Sequence, residues 1–241
     1  MMTNKIKFNF TWCLAASLLF VLGCERDISD DAVLASFPNT GEVFTDSPIG
    51  LGTDFYFPYA DSKPTAWSVD DEESSPGQAS MRIDVPNADD PEGGYAGAIL
   101  RVDGAPRDLT SYDALTFWAK ASQGVTIGEI GLGEDFMENK HLTTLNNVSL
   151  GTDWQKVIIP LPDPSKLDQE LGMFRYAAGS QGTGGNGYTF WVDELQFEKL
   201  GTIAQPRPAI QNGENAYAQN FIGGNLTVSG LTQTFNTTTG D

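Results

Sequence analysis

Hydrophobic and polar residues alternate along much of the chain with the two-residue period of a β-strand. Ser80 to Val85 places Met81, Ile83 and Val85 on one face. Tyr112 to Lys120 sets Leu115, Phe117 and Ala119 against Thr116, Trp118 and Lys120, and Val157, Ile159 and Leu161 repeat the pattern before Pro162. Further apolar runs are Ala98–Val102, Val125–Leu132, Met173–Ala177 and Tyr188–Phe197. Turn signals separate them at Ser75-Pro76-Gly77, Asp89-Asp90-Pro91, Gly151-Thr152-Asp153 and Asp163-Pro164. No long segment carries a helical apolar stripe; only Pro164 to Gly172, with Leu167 and Leu171 on one side, allows a short helix. The last run changes phase, because Phe190 and Val192 share one parity and Leu195 and Phe197 the other, so a bulge is expected at Asp193-Glu194. About eight short strands with regular turns predict an all-β fold, an antiparallel β-sandwich.

The two ends have a different texture. Lys5 and Lys7 precede an apolar stretch from Phe10 to Leu22, too short to span a bilayer but suited to a signal peptide. It ends in Val21-Leu22-Gly23-Cys24, which resembles the lipobox of bacterial lipoproteins and implies lipidation of Cys24; a secretory signal with a chance cysteine is the alternative. The following Glu25-Arg26-Asp27-Ile28-Ser29-Asp30-Asp31 resembles the surface-export signal of Bacteroidetes-type lipoproteins, or is a solvated tether. Beyond Lys199, Gln205-Pro206-Arg207-Pro208 marks a stiff linker. Asn212 to Asp241 is rich in Asn, Thr and Gly and strand-like at Leu226–Val228 and Leu231–Phe235, a length that cannot bury a core alone. The expected organisation is a signal peptide (1–23), an acidic tether (24–40), a β-sandwich (41–200), a linker (201–212) and the start of a second β-domain (213–241), truncated at Asp241.

Composition narrows the partners. The 241 residues carry 14 Lys+Arg against 32 Asp+Glu, a formal charge of -18. Removing the leader makes the remainder two charges more negative, since Lys5 and Lys7 go with it. Such a surface repels phosphate backbones and argues against nucleic acid. One histidine excludes a multi-His zinc site, and with Cys24 acylated and Cys13 removed no thiol is left for a disulfide or catalysis.

Several segments carry a family resemblance. Ser111-Tyr112-Asp113-Ala114-Leu115-Thr116-Phe117-Trp118-Ala119-Lys120 resembles a characteristic strand of jelly-roll, galactose-binding-like carbohydrate-binding modules. Thr152 to Leu161, with Trp154 before its alternating run, Gly77 to Val85, and Phe190-Trp191-Val192-Asp193-Glu194-Leu195 are similar to three others, in the same order. The resemblance covers about Gly41 to Lys199 and implies a two-sheet jelly roll whose concave face holds a polysaccharide or oligosaccharide. It also implies a structural calcium ion (Ca2+) in which Asp193 takes part, with Asp61 and Asp71 the nearest partners and Asp54 and Asp70 competing for those places. An acidic solvated loop is the other reading of Asp70-Asp71-Glu72-Glu73. Lipid anchoring would set such a module beside glycan-uptake proteins in the outer membrane.

Sugars are held by aromatic faces together with amides, carboxylates and Arg forks. Trp118 alternates away from the core side and either stacks on sugar or shields the outer face; Tyr95, flanked by glycines, is a ring open to approach or a turn residue. Arg175, between Phe174 and Tyr176, points opposite them as a groove fork or a surface charge, and Glu129 in a glycine-rich strand is a hydroxyl acceptor or part of a tight bend. Trp67, Trp154 and Trp191 stand where the resemblance implies a structural aromatic, and so are expected in the core.

The enzymatic alternative, a glycoside hydrolase or lyase, finds little support. Laminarinase-type hydrolases align E-x-D-x-E on one strand face, whereas in Glu134-Asp135-Phe136-Met137-Glu138 the Asp falls on the opposite face. Gly182 to Gly187 matches G-x-G-x-x-G but precedes a strand instead of opening a helix, so a dinucleotide site lacks its context. His141 reads as a surface or groove residue, and Asn147-Val148-Ser149 and Asn225-Leu226-Thr227 are formal sequons only. A structural or adhesion β-sandwich is the remaining alternative.

Overall fold

The computed structural model describes residues 36–51, 56–58, 61–133, 142–201, 225–228 and 231–234, with backbone alone for 56–58 and the last two stretches. Its strands are β1 (Glu42–Phe44), β2 (Tyr56–Pro58), β3 (Trp67–Asp70), β4 (Ser80–Val85), β5 (Tyr95–Arg101), β6 (Ala114–Ala121), β7 (Val125–Leu132), β8 (Thr143–Leu150), β9 (Gln155–Pro160), β10 (Gly172–Gly179), β11 (Tyr188–Glu198), β12 (Asn225–Val228) and β13 (Leu231–Thr234). One sheet runs β3-β4-β11-β6-β9, with β1 also on β11; the other runs β2-β5-β10-β7-β8. Every pairing in them is antiparallel. β12 and β13 pair as a hairpin. The expected all-β antiparallel sandwich is therefore what the chain forms.

The alternation explains the layering. Met81, Ile83, Phe117, Phe190 and Val192 from the β11 sheet meet Leu100, Ile130, Phe174 and Tyr176 from the β10 sheet in one core. Burying each such side chain contributes roughly 1.5–3 kcal/mol. Aromatic rings cross the seam edge to face: Phe117 and Phe174 have centroids 5.6 Å apart, and Tyr176 and Phe190 5.8 Å.

The bulge in β11 is present where the phase change predicts it. Register with β6 shifts between Asp193 and Gln196, and Glu194 takes a left-handed φ of 48°. β4 pairs with β11 from Tyr188 to Val192, and past the bulge β1 takes over at Leu195 and Gln196. The irregularity is thus the point where one neighbour gives way to another.

Two local expectations differ from the structure. Between Pro164 and Gly172 the only helical turn is a 3-10 turn, Pro164–Lys166, capped by the Asp163 side chain. Arg107 and Glu170 exchange backbone hydrogen bonds instead (2.8 and 2.9 Å), which pulls the rest of that segment into a bridge. The alternation also does not reveal β8, whose Thr-Asn sequence lacks a clean apolar face. Ile127 pairs with Val148 and Ile130 with Leu145, all four in the core, so Gly128 and Asn147 are matched extra residues and both strands switch faces together. Asn147 accommodates this with a φ of 58°.

Candidate functional site

The outward face of the β10 sheet follows from its core residues. Ala96, Ala98 and Leu100 on β5 and Phe174, Tyr176 and Ala178 on β10 point into the sandwich. Their neighbours Tyr95, Gly97 and Ile99 on β5, and Arg175, Ala177 and Gly179 on β10, therefore share the opposite face. Register ties these together as Tyr95 with Gly179, Gly97 with Ala177, and Ile99 with Arg175. On the other side Ala177 pairs with Glu129 and Arg175 with Gly131, and Glu129 pairs onward with Asn146 of β8. Gly97, Ala177, Gly131 and Gly179 occupy the middle of this face, a low floor that we call the trough, beside the larger Tyr95, Arg175 and Glu129. Gly131 takes no side chain, because a Cβ there would stand 2.0 Å from the Thr143 carbonyl oxygen.

Three of the four residues singled out for a ligand meet on this face. Arg175 is only 5% exposed although it points away from the core, and its Nε lies 2.7 Å from Glu129 Oε1. The guanidinium is thereby committed to Glu129, whose side chain keeps 27% of its surface open. Tyr95 is half-buried at the end of β5, two strands from Glu129, a lateral distance of about 10 Å. Ile99 is fully buried on the same face, so the trough is closed over at that end and open toward Tyr95 and Asn146.

Trp118 is elsewhere. It stands half-buried on the outer face of the β11 sheet, paired with Asp193 and Lys156. The neighbouring row there is a stack of cations and indoles. Lys120 Nζ sits 5.1 Å from the Trp191 ring centroid and 5.5 Å from that of Trp154, and the Arg82 guanidinium carbon lies 5.9 Å from Trp191. Trp191 is 8% exposed but faces away from the inter-sheet core, contrary to its expected core position, because Phe190 and Val192 on either side point inward. Its Nε1 donates to Asp70 Oδ2 at 2.9 Å. Trp154 likewise belongs to this outer row, while Trp67 packs partly buried against the core edge.

The residues foreseen as metal ligands are not gathered. Among the described residues no three His, Cys, Asp or Glu side chains are arranged to hold a metal ion. Asp61 is exposed beside Gly93, with a φ of 63°, and Asp71 is exposed after β3. Asp70, the competing candidate, accepts from Trp191, Arg82 and the Glu72 amide; burial works against its charge, but these donors hold it below the usual carboxylate range. Asp193 is fully buried at the bulge, where Oδ2 accepts from the Ser75 amide (2.6 Å) and Oδ1 from the Glu194 amide (2.8 Å). Burial, with help from the charges of Glu194 and Asp46, pushes its pKa up to about 6 against those two hydrogen bonds. Asp46, which sequence reasoning did not select, accepts from Gln78 and Ala79 amides at 2.5 and 3.1 Å, so it and Asp193 hold the Ser74–Ala79 loop from two sides. Cys24, Asp54, the Glu134–Glu138 run, His141 and Gln205–Pro208 lie outside the described residues.

The two-sheet antiparallel architecture is that of a jelly-roll carbohydrate-binding module. The family model for carbohydrate binding domain 30 matches residues 41–199, and the chain belongs to that family. Among solved structures, a family 30 carbohydrate-binding module is 21% identical over 70% of this chain and 92% of that one, with a TM-score of 0.45. The family 30 module of a cellulosomal cellulase from Clostridium thermocellum is 19% identical, covering 68% and 95%, at 0.41. A family 11 module from the same organism, solved with a β-1,3-1,4-mixed-linked tetrasaccharide, is 12% identical, covering 69% and 98%, at 0.43. No curated protein matches the sequence.

The Asp193 environment predicts a pH dependence of stability in chelator. A carboxyl whose folded pKa lies above its unfolded value contributes stability that is complete below about 3.8 and lost as pH rises through about 6. Lowering pH from 7.5 to 5 should therefore raise the melting temperature of the wild type more than that of Asp193→Asn. Superimposable pH profiles would show that Asp193 titrates normally.

Proposed function

We propose that this protein captures polysaccharide at the bacterial surface without cleaving it, using the trough on the β10 sheet. The observation that carries the reading is the Arg175–Glu129 pair, 2.7 Å apart on an outward face floored by small residues and flanked by Tyr95. Arg175 positions the carboxylate, Glu129 accepts from sugar hydroxyls, and the Tyr95 ring supplies an apolar surface for a pyranose face. With Arg175 neutralised, the trough offers a sugar chain hydrogen bonding without a net positive charge, which suits an uncharged glycan. The mixed-linked glucan seen with the family 11 module makes β-glucans the first ligands to try.

Affinity electrophoresis of the purified protein in gels containing mixed-linked β-glucan, laminarin, cellulose derivatives, xylan and alginate tests this. Retardation is expected in at least one neutral glucan gel, and Tyr95→Ala or Glu129→Gln should weaken binding about tenfold. No retardation in any gel overturns the reading, and release of reducing sugar would replace it with a hydrolase or lyase.

The proposal includes a structural calcium ion at the Asp193 end of the molecule. Its support is the buried Asp193 carboxylate, whose charge is opposed by burial and by the nearby charges of Glu194 and Asp46; since no three acidic side chains among the described residues converge there, backbone oxygens would have to complete the coordination. Asp61 and Asp71 are not part of this arrangement. Chelator should lower the melting temperature at pH 7.5, and Asp193→Ala should abolish the difference; an unchanged curve removes the metal.

We further propose that Cys24 carries the lipid that holds the module at the outer membrane, where its acidic tether gives it reach beside glycan-uptake proteins. A single signal for anchoring is the lipobox-like Val21-Leu22-Gly23-Cys24. Cys24→Ser should move the protein from the membrane to the soluble fraction, and equal partitioning of both forms would refute the anchor.

A further inference from the structure

We infer that Gln181 forms the end subsite of the trough, where its side-chain amide reads adjacent hydroxyls of the sugar seated on Tyr95. The inference rests on the glycan-binding reading above and extends it to a residue that neither the strand pattern nor the family resemblance selects.

The placement comes from Gly179. This residue ends β10 on the outward face, directly opposite Tyr95 in the register. A Cβ built on it would stand 2.3 Å from Gln181 Oε1 and 3.0 Å from both Cδ and Nε2. The amide of Gln181 therefore occupies the space that a side chain at position 179 would fill, above the floor and beside the tyrosine. Gln181 opens the 3-10 turn Gln181–Thr183, which is closed by the left-handed Gly184 and follows directly on the end of β10. That turn is itself tied down: the Gly185 carbonyl accepts from the Ala88 amide at 3.0 Å, and the Gly187 amide donates to Asn87 Oδ1 at 2.7 Å. Gln181 is exposed, and among the described residues its side chain makes no hydrogen bond.

A carboxamide presents one acceptor and two donor hydrogens in a plane. Two neighbouring hydroxyls on a pyranose ring, each both donor and acceptor, satisfy it together. A ring face packed on Tyr95 would direct its hydroxyl edge sideways, toward that amide. The adjoining glycine floor removes the steric barrier to such an approach. The chemistry favours a neutral pyranose with an unsubstituted vicinal diol at this end of the chain, and disfavours one substituted there.

A double-mutant cycle tests the placement, with titration calorimetry of the whole protein against mixed-linked β-glucan tetrasaccharide and cellohexaose as probes. Gln181→Ala should weaken binding about tenfold, as expected for the loss of one or two neutral hydrogen bonds, with the melting temperature unchanged. Gly179→Ala should do the same by displacing the amide, since the obstructing atoms are the far end of a flexible side chain. The double variant should be no weaker than either single one, because both remove the same interaction. Losses that multiply, full affinity in Gln181→Ala, or a fall in its melting temperature would each overturn the inference. Tyr95→Ala separates the two levels: if it weakens binding while Gln181→Ala does not, the trough stands and the subsite falls. If wild type binds neither probe nor any glycan of the panel, both fall together.

Discussion

The aromatic contact across the two sheets is the constraint from which the rest follows. Phe117 and Phe190 from the β11 sheet meet Phe174 and Tyr176 from the β10 sheet, each pair edge to face at under 6 Å between centroids. Because strand side chains alternate, fixing these rings inward fixes their neighbours outward. Arg175, between Phe174 and Tyr176, must face the trough, and Trp191, beside Phe190, must face the opposite surface. The character of both outer faces is thus set from within.

The two surfaces use their few cations differently. On the β11 sheet, Lys120 and Arg82 cover Trp191 and are themselves paired with Glu73, Asp70 and Asp84. That stack turns an indole that would otherwise be an apolar patch into a covered, polar surface. On the β10 sheet, Arg175 meets Glu129, and near the Tyr95 end Lys63 meets Asp90 and Glu92. With 14 basic residues against 32 acidic ones, these pairings leave the surplus negative. A surplus of that sign repels anionic chains in general and exerts no such force on neutral ones.

Much of the fold was legible because strands such as β4 and β6 alternate cleanly and the other apolar runs are bounded by turns. β4 and β7 have the residue ranges that the apolar runs mark, and the bulge at Asp193-Glu194 follows from a change of parity. β8 escaped because its Thr and Asn residues, and the extra residue at Asn147, break the alternation; only pairing with β7 makes it a strand. The indole positions were harder still, since a Trp buried under Lys120 and one buried in a core have the same neighbours in sequence. At the site, parity around Phe174 and Tyr176 sends Arg175 outward, whereas Glu129 reaches the same face only because β7 switches faces at Gly128 and pairs it with Ala177. Trp118 obeyed the same parity on the other sheet, and parity does not say which sheet holds the trough. Gln181 carried no signal, as only the folded turn brings its side-chain amide beside Gly179. Asp46 was missed for a similar reason: its partners Gln78 and Ala79 are more than thirty residues away.

The way the sandwich is closed also governs how it bears load. β1, the first strand, lies antiparallel on the end of β11, the last strand of the sandwich, and the Gly41 carbonyl accepts from the Phe197 amide at 2.8 Å. The Asp113 carboxylate then fastens the amides of Leu200 and Gly201 at 2.7 and 2.8 Å as the chain leaves. Entry and exit therefore emerge side by side. A tension applied between the two ends would part β1 from β11 one hydrogen bond at a time, as a zipper opens, instead of shearing the whole ladder at once. The face that carries Tyr95, Glu129 and Arg175 lies on the other sheet, away from that seam. A tug along the chain would loosen the hem of the module well before it disturbed the face of the β10 sheet.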